Sequence, residues 1–185
     1  VWPPTGIAIA ALLHFGWRIW PGIFLGALAI NFTTGLPLTL SMFIGCGNTF
    51  EALLAYYLLS RFTNAYPFHS VTDVTKFTFI IMLAANVSAF IGVTTLFLGG
   101  MIGWTSYQLI FFTWWSGDVT GALIVTPFLL TWSRPLYTKW SSKKLLQALC
   151  LFALTLFCSS IVFSGAYSMG REQYPLAFIY LPIAI

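Results

Sequence analysis

Apolar and polar positions along the chain follow neither a 3.6-residue nor a two-residue alternation. Long runs are apolar on all sides and are broken by short stretches rich in Gly, Pro, Ser and charge. Runs at roughly 38–60, 77–98, 106–131 and 146–164 reach the ~20 residues that a helix needs to cross about 30 Å of hydrocarbon. A partial run opens at residue 175, and none shows the alternation of a barrel strand. Ahead of them, "PPTGIAIAALLHF" and "PGIFLGALAINFTTG" each begin with proline, suited to a first helical turn, and end near glycine. At 1.5 Å per residue each covers about 20 Å, so they read as half-helices or short spans. The pattern predicts an all-α, polytopic transmembrane bundle. Six to seven membrane segments fall in this chain, including the two short N-terminal helices.

Cations then set the orientation. Arg18 lies in connector 16–20, Arg61 and Lys76 flank connector 61–76, and Arg134, Lys139, Lys143 and Lys144 cluster in 132–145. The intervening connectors, 34–37 and 99–105, carry none, and 165–174 has only Arg171 beside Glu172. Alternation of this kind puts loops 16–20, 61–76 and 132–145 in the cytoplasm of a plasma-membrane protein, with residues 1–5, 34–37, 99–105 and 165–174 facing outward. Trp2, Trp17, Trp20, Trp104, Trp132 and Trp140 fall near segment ends, where amphipathic rings settle at the interface.

Composition narrows the class. The chain is 59% hydrophobic and 6% charged, far from what a soluble domain of this size needs for a core. Its net charge of +4 is dispersed over segment ends, so the lipid bilayer is the expected partner and nucleic acid is not. Cys46, Cys150 and Cys158 lie in apolar runs without metal or disulfide spacing and read as buried thiols. No nucleophile–base order, phosphate loop, metal-ligand spacing or cofactor motif is present, so this segment reads as non-catalytic. The chain starts at Val1 and stops within an apolar run, which reads as part of a larger protein.

The candidate chemistry is intramembrane. Of four acids, Glu51 in "GCGNTFEALLAYY" and Asp118 in "TWWSGDVTG" fall within about 4 Å of the midpoints of their runs. Asn86 in "AANVSAF" lies at similar depth, making one polar layer. An ionised side chain there costs at least ~2.5–3.5 kcal/mol on insertion scales, so such residues face the bundle interior and seek partners. Asn48 is one turn from Glu51, and the Trp114 and Trp115 indoles are one turn from Asp118. Arg18 and His14, toward the cytoplasmic side, are the cations nearest Glu51. Gly117 with Gly121, Gly47 four residues before Glu51, and Gly22 with Gly26 offer strips where a second helix approaches closely. Three readings stay open for the layer: interhelical hydrogen bonds that fix one packing, a ligand or ion pocket, and a proton relay.

Taken together, "VWPPTGIAIAALL", "WPGIFLGALAIN", "GNTFEALLAYYLL", "DVTKF", "IGVTTLFLGGMI" and "TWWSGDVTGALIVTPFLLTW" resemble, in order and over almost the whole chain, the bacterial membrane-associated sensor domain family of the first MASE type. The family pattern falls on Trp2, Pro3, Pro4, Thr5, Gly6, Pro21, Gly22, Gly26, Asn31, Gly47, Asn48, Glu51, Trp114, Trp115, Gly117, Asp118, Gly121 and Pro127. The resemblance implies one integral inner-membrane sensory domain over 1–185, with a further helix before WPPTG and about eight helices in all. It also implies a cytoplasmic output domain: a histidine kinase, diguanylate cyclase or phosphodiesterase. The input would be a small-molecule signal, a partner membrane protein or a membrane state, and the full-length protein is expected to work as a homodimer. The alternative is a substrate-binding membrane subunit or small transporter, which also uses short broken helices and midplane acids.

Overall fold

The computed structural model describes residues 1–63, 68 and 70–133, and further along residues 143, 145–147, 149–150, 152–154 and 157. By contact the chain divides into two units, Val1–Arg134 and Pro135–Ile185. Described residues of the second unit are helical; those from 146 to 157 fall in the run expected at 146–164, whereas 143 and 145 were expected to be connector. The expected connectors 132–145 and 165–174 beyond Ser133, the run from 175, and Trp140, Cys158 and His69 lie outside the described residues, Lys143 and Leu145 excepted.

In the first unit the described elements are all helical: α1 (Pro3–Phe15), a short 3-10 turn (Trp17–Ile19), α2 (Trp20–Thr33), α3 (Leu38–Phe62), α4 (Val71–Leu98) and α5 (Trp104–Trp132). Helices α3, α4 and α5 are long and apolar enough to span a membrane, while α1 and α2 have 13 and 14 residues. The all-α transmembrane reading therefore holds.

Helix α4 corrects one boundary. Its first turn was expected to be connector, but Ser70 accepts from the Asp73 backbone N–H at 3.1 Å and donates to Asp73 Oδ2 at 2.9 Å. A Ser with an acid three residues on satisfies orphan donors and starts a helix. Lys76 thus sits inside α4, and the connector shortens accordingly.

The helices pack by interleaving alanines with larger side chains, because lipid supplies no hydrophobic drive between helices and close packing must hold them instead. The core joins Ile9 and Leu12 of α1, Ala52, Ala55 and Leu59 of α3, Phe77, Ile81, Ala84 and Ala85 of α4, and Val119 and Ala122 of α5. Helix α3 touches α1, α2 and α4, and α5 touches α1 and α4. Contacts of Asn48 with Ser88, Gly47 with Ile91 and Leu40 with Gly99 run in opposite chain directions, so α3 and α4 are antiparallel.

Helix α1 is placed differently from the sequence reading. The Trp2 backbone N–H donates to Gly117 O at 2.8 Å, and Gly6 packs against Gly121 and Val125. Residues rise together along both chains, so α1 is parallel to α5 and begins level with the middle of α5. Residues 1–5 were expected at the outer surface; Trp2 to Thr5 instead sit at mid-helix depth, and Thr5 is buried. Pro3 and Pro4 make this start tolerable: neither has an N–H, so two of the donors that a helix start leaves orphaned are missing from the apolar layer.

Candidate functional site

Glu51 is one residue from the midpoint of α3 and Asp118 is at the midpoint of α5. Both are turned inward, with 1% and 4% of their surface exposed, as their insertion cost demands. The two carboxyls lie within electrostatic reach of one another, with Ser88 of α4 beside both.

Their hydrogen bonding is unequal. Asp118 Oδ1 accepts from the Thr5 hydroxyl at 2.8 Å, a buried bond between residues 113 apart in sequence. Neither oxygen of Glu51 has a partner. Asn48, one turn before Glu51, accepts from Ser88 Oγ at 2.7 Å through Oδ1. Asn48, Glu51 and Asp118, which the sequence places at one depth, thus also share one side of the bundle, with Thr5 and Ser88 added.

Asn86 does not join them. It is exposed on the outer face of α4 and returns Nδ2 to Met82 O of its own helix at 2.7 Å. The inward face of α4 is the stripe Phe77, Ile81, Ala84, Ala85, Ser88 and Gly92, and residue 86 is two positions from Ser88, roughly the opposite side. The readable signal for Ser88 was the small residues of that stripe, Ala84, Ala85, Ser88 and Gly92, among which it is the polar member.

The indoles also differ from expectation. Trp115 donates Nε1 to Met82 O at 3.0 Å, tying α5 to α4 rather than to Asp118. Trp114 packs its ring against Gly92, where a Cβ would collide with it. His14 stacks edge-on against Phe15 with centroids 4.6 Å apart, and neither it nor Arg18 bonds Glu51.

Of the glycine strips, Gly117 with Gly121 receives another chain segment: a Cβ on Gly121 would strike the Trp2 carbonyl, and Gly117 lies under the Trp2 side chain. A Cβ on Gly47 would come within 3.1 Å of Ile91. Gly22 and Gly26 do not serve this way, since nothing lies within 4 Å of a Cβ at either; they border an apolar gap of about 430 Å³ between α1 and α2. Gly45 takes that role for α2, against Leu28 and Phe24. Thr126 Oγ1 donates to Gly6 O at 3.1 Å immediately before Pro127. Cys46 is half-buried, whereas Cys150 is exposed rather than buried.

A cavity of about 280 Å³ opens at the start of α1, lined by Val1, Trp2, Asn31, Ile44, Asn48, Thr113, Trp114, Gly117 and Asp118. A carboxylate, two amides and two indoles thus converge on one concave space at mid-helix depth. Most pockets that recognise small molecules combine apolar walls with a few fixed polar groups in this way.

The family model MASE1 matches residues 1–185. None of the curated proteins and none of the solved structures compared with the chain matches it.

Proposed function

The chain belongs to the MASE1 family of membrane-associated sensor domains found in signalling proteins, and from that premise we propose that the Asp118 cavity is where its signal is received. The observation that carries this is Glu51: a carboxyl group 1% exposed, both oxygens unpartnered, next to a second carboxyl that lines a cavity. Packing alone does not call for such a group, because a buried polar side chain without partners costs ~1–3 kcal/mol, and more when charged. A sensor needs a free-energy difference between two states, and an unsatisfied carboxyl supplies one when a ligand, a cation or a new donor reaches it.

The output is a histidine kinase, diguanylate cyclase or phosphodiesterase on the cytoplasmic side of a bacterial inner membrane, working as a homodimer. Arg18, Arg61 and Lys76 support that orientation, since the α1–α2 turn, the end of α3 and the start of α4 share one end of the bundle. The test is Asp118→Asn and Glu51→Gln in the full-length protein, with membrane insertion checked by fractionation. Either variant is expected to shift phosphorylation or cyclic-dinucleotide output at least severalfold. Wild-type output from both inserted variants defeats the proposal.

Transport is a second reading, favoured by α1 starting at mid-depth, as the half-helices of carriers do. Solute uptake by vesicles containing this segment alone is the outcome that selects it.

A further inference from the structure

The hydrogen-bonding inventory of the cavity restricts what fits it. Asp118 gives one acceptor position to Thr5, and a carboxylate has about four, so it still seeks donors. Asn31 spends Nδ2 on Ala27 O at 2.8 Å, which leaves its side-chain carbonyl as an acceptor. Asn48 spends Oδ1 on Ser88, which leaves its NH₂ as a donor. Trp2 and Trp114 supply aromatic surface, and no Lys, Arg or His is among the lining residues.

Charge decides the sign of the ligand. Asp118 is the acid that lines the cavity and no cationic side chain lines it, so an anion meets a carboxyl group with nothing to offset it in a low-dielectric layer. A neutral molecule leaves Asp118 uncompensated. A cation compensates Asp118, and indole faces add attraction for an ammonium group. A bare metal ion is a poor match: among the described residues no three metal-binding side chains converge, and the space is far larger than one ion. At about 280 Å³ it falls just below the ~300–1,000 Å³ usual for drug-sized ligands.

Resting on the sensor reading above, we infer that this cavity binds a small organic ammonium ion that carries one hydrogen-bond acceptor. The ammonium group donates to Asp118 and to the Asn31 carbonyl, its acceptor receives the Asn48 amide, and its carbon skeleton lies against Trp2 and Trp114.

The experiment is calorimetric titration of the full-length protein, in nanodiscs free of amine-bearing lipid, with 2-methoxyethylammonium chloride, the neutral isostere 2-methoxyethanol and sodium acetate. Saturable binding of the ammonium alone is expected, weakened at least tenfold by Asp118→Asn and severalfold by Asn31→Leu. The Asn31 side chain bonds its own helix, so Asn31→Leu keeps the test valid if the Asp118 variant does not fold. Binding of methoxyethanol as tightly as the amine, no saturable binding, or unchanged binding by folded variants overturns the inference. Repeating the titration in phosphatidylethanolamine nanodiscs separates sources of the same chemistry: competition identifies a lipid headgroup, and none identifies a free amine. If Asp118→Asn alters output while no amine binds, the ammonium assignment falls and the sensor reading stands. If the amine binds through Asp118 while output ignores both ligand and mutation, the sensor reading falls.

Discussion

The Thr5–Asp118 bond and the bare Glu51 carboxyl are opposite solutions to the same problem, a polar group at the depth where lipid offers no partner. Thr5→Val keeps the shape and removes the donor, leaving Asp118 with a stranded acceptor. We expect it to lower stability by about 1–3 kcal/mol, read as a drop in melting temperature of the purified protein. Glu51 should behave the other way. Glu51→Met replaces an unpartnered buried carboxyl by an apolar chain of similar length, so the melting temperature is expected to hold or rise while the output loses its response. A fall in stability as large as that of Thr5→Val means that Glu51 has a structural partner after all. The presence and depth of both acids were legible in the sequence. Their difference was not, because Thr5 is 113 residues from Asp118 and nothing local pairs them.

Helix contacts decide which glycines matter. Gly6 and Gly121 sit where α1 meets α5: a Cβ on Gly6 would come within 2.6 Å of Gly121 O, and one on Gly121 would meet the Trp2 backbone. Gly121→Ala is therefore expected to push α1 away from α5, break the Trp2–Gly117 bond and cost at least 1–3 kcal/mol, the usual toll of overpacking. Gly22→Ala and Gly26→Ala have open space and are expected to be neutral or to stabilise α2 by up to about 1 kcal/mol through helix propensity. Thermal unfolding of the three single variants in detergent checks the contrast; equal losses in all three contradict it. From sequence the three strips looked alike, since small-xxx-small spacing marks where a helix is able to approach and not whether one does. Asn86 and Ser88 carry the same lesson on α4. An all-round apolar helix gives no amphipathic phase, and only the stripe of small residues shows which side faces the bundle.

At the scale of the molecule, the charge pattern and the helix order agree on one orientation. Single cysteines placed at Thr34 and Thr63, in an otherwise cysteine-free protein, are expected to react with impermeant reagent from opposite sides, Thr34 from outside and Thr63 from the cytoplasm. Labelling of both from one side removes the orientation. They flank α3, which at 25 residues extends about 37 Å and spans the hydrocarbon core. Because α1 begins level with the middle of α5, a cysteine at Trp2 is expected to resist the reagent from either side. Strong labelling at that position contradicts the mid-depth start.

The sequence by itself determined the class, the positions of α3 and α5, the two short N-terminal helices and the depth of Glu51 and Asp118. Each of these depends on local hydropathy, chain rise per residue and proline placement, which need no knowledge of neighbours. Tertiary structure alone decided azimuth and partnership: that Thr5 rather than a tryptophan satisfies Asp118, that Ser88 rather than Asn86 enters the layer, and that Trp2 fills the strip at Gly117 and Gly121. The physical reason is that lipid is as apolar as the helix surface. Burial against protein and exposure to lipid leave the same hydropathy in the sequence, and only contact between helices tells them apart.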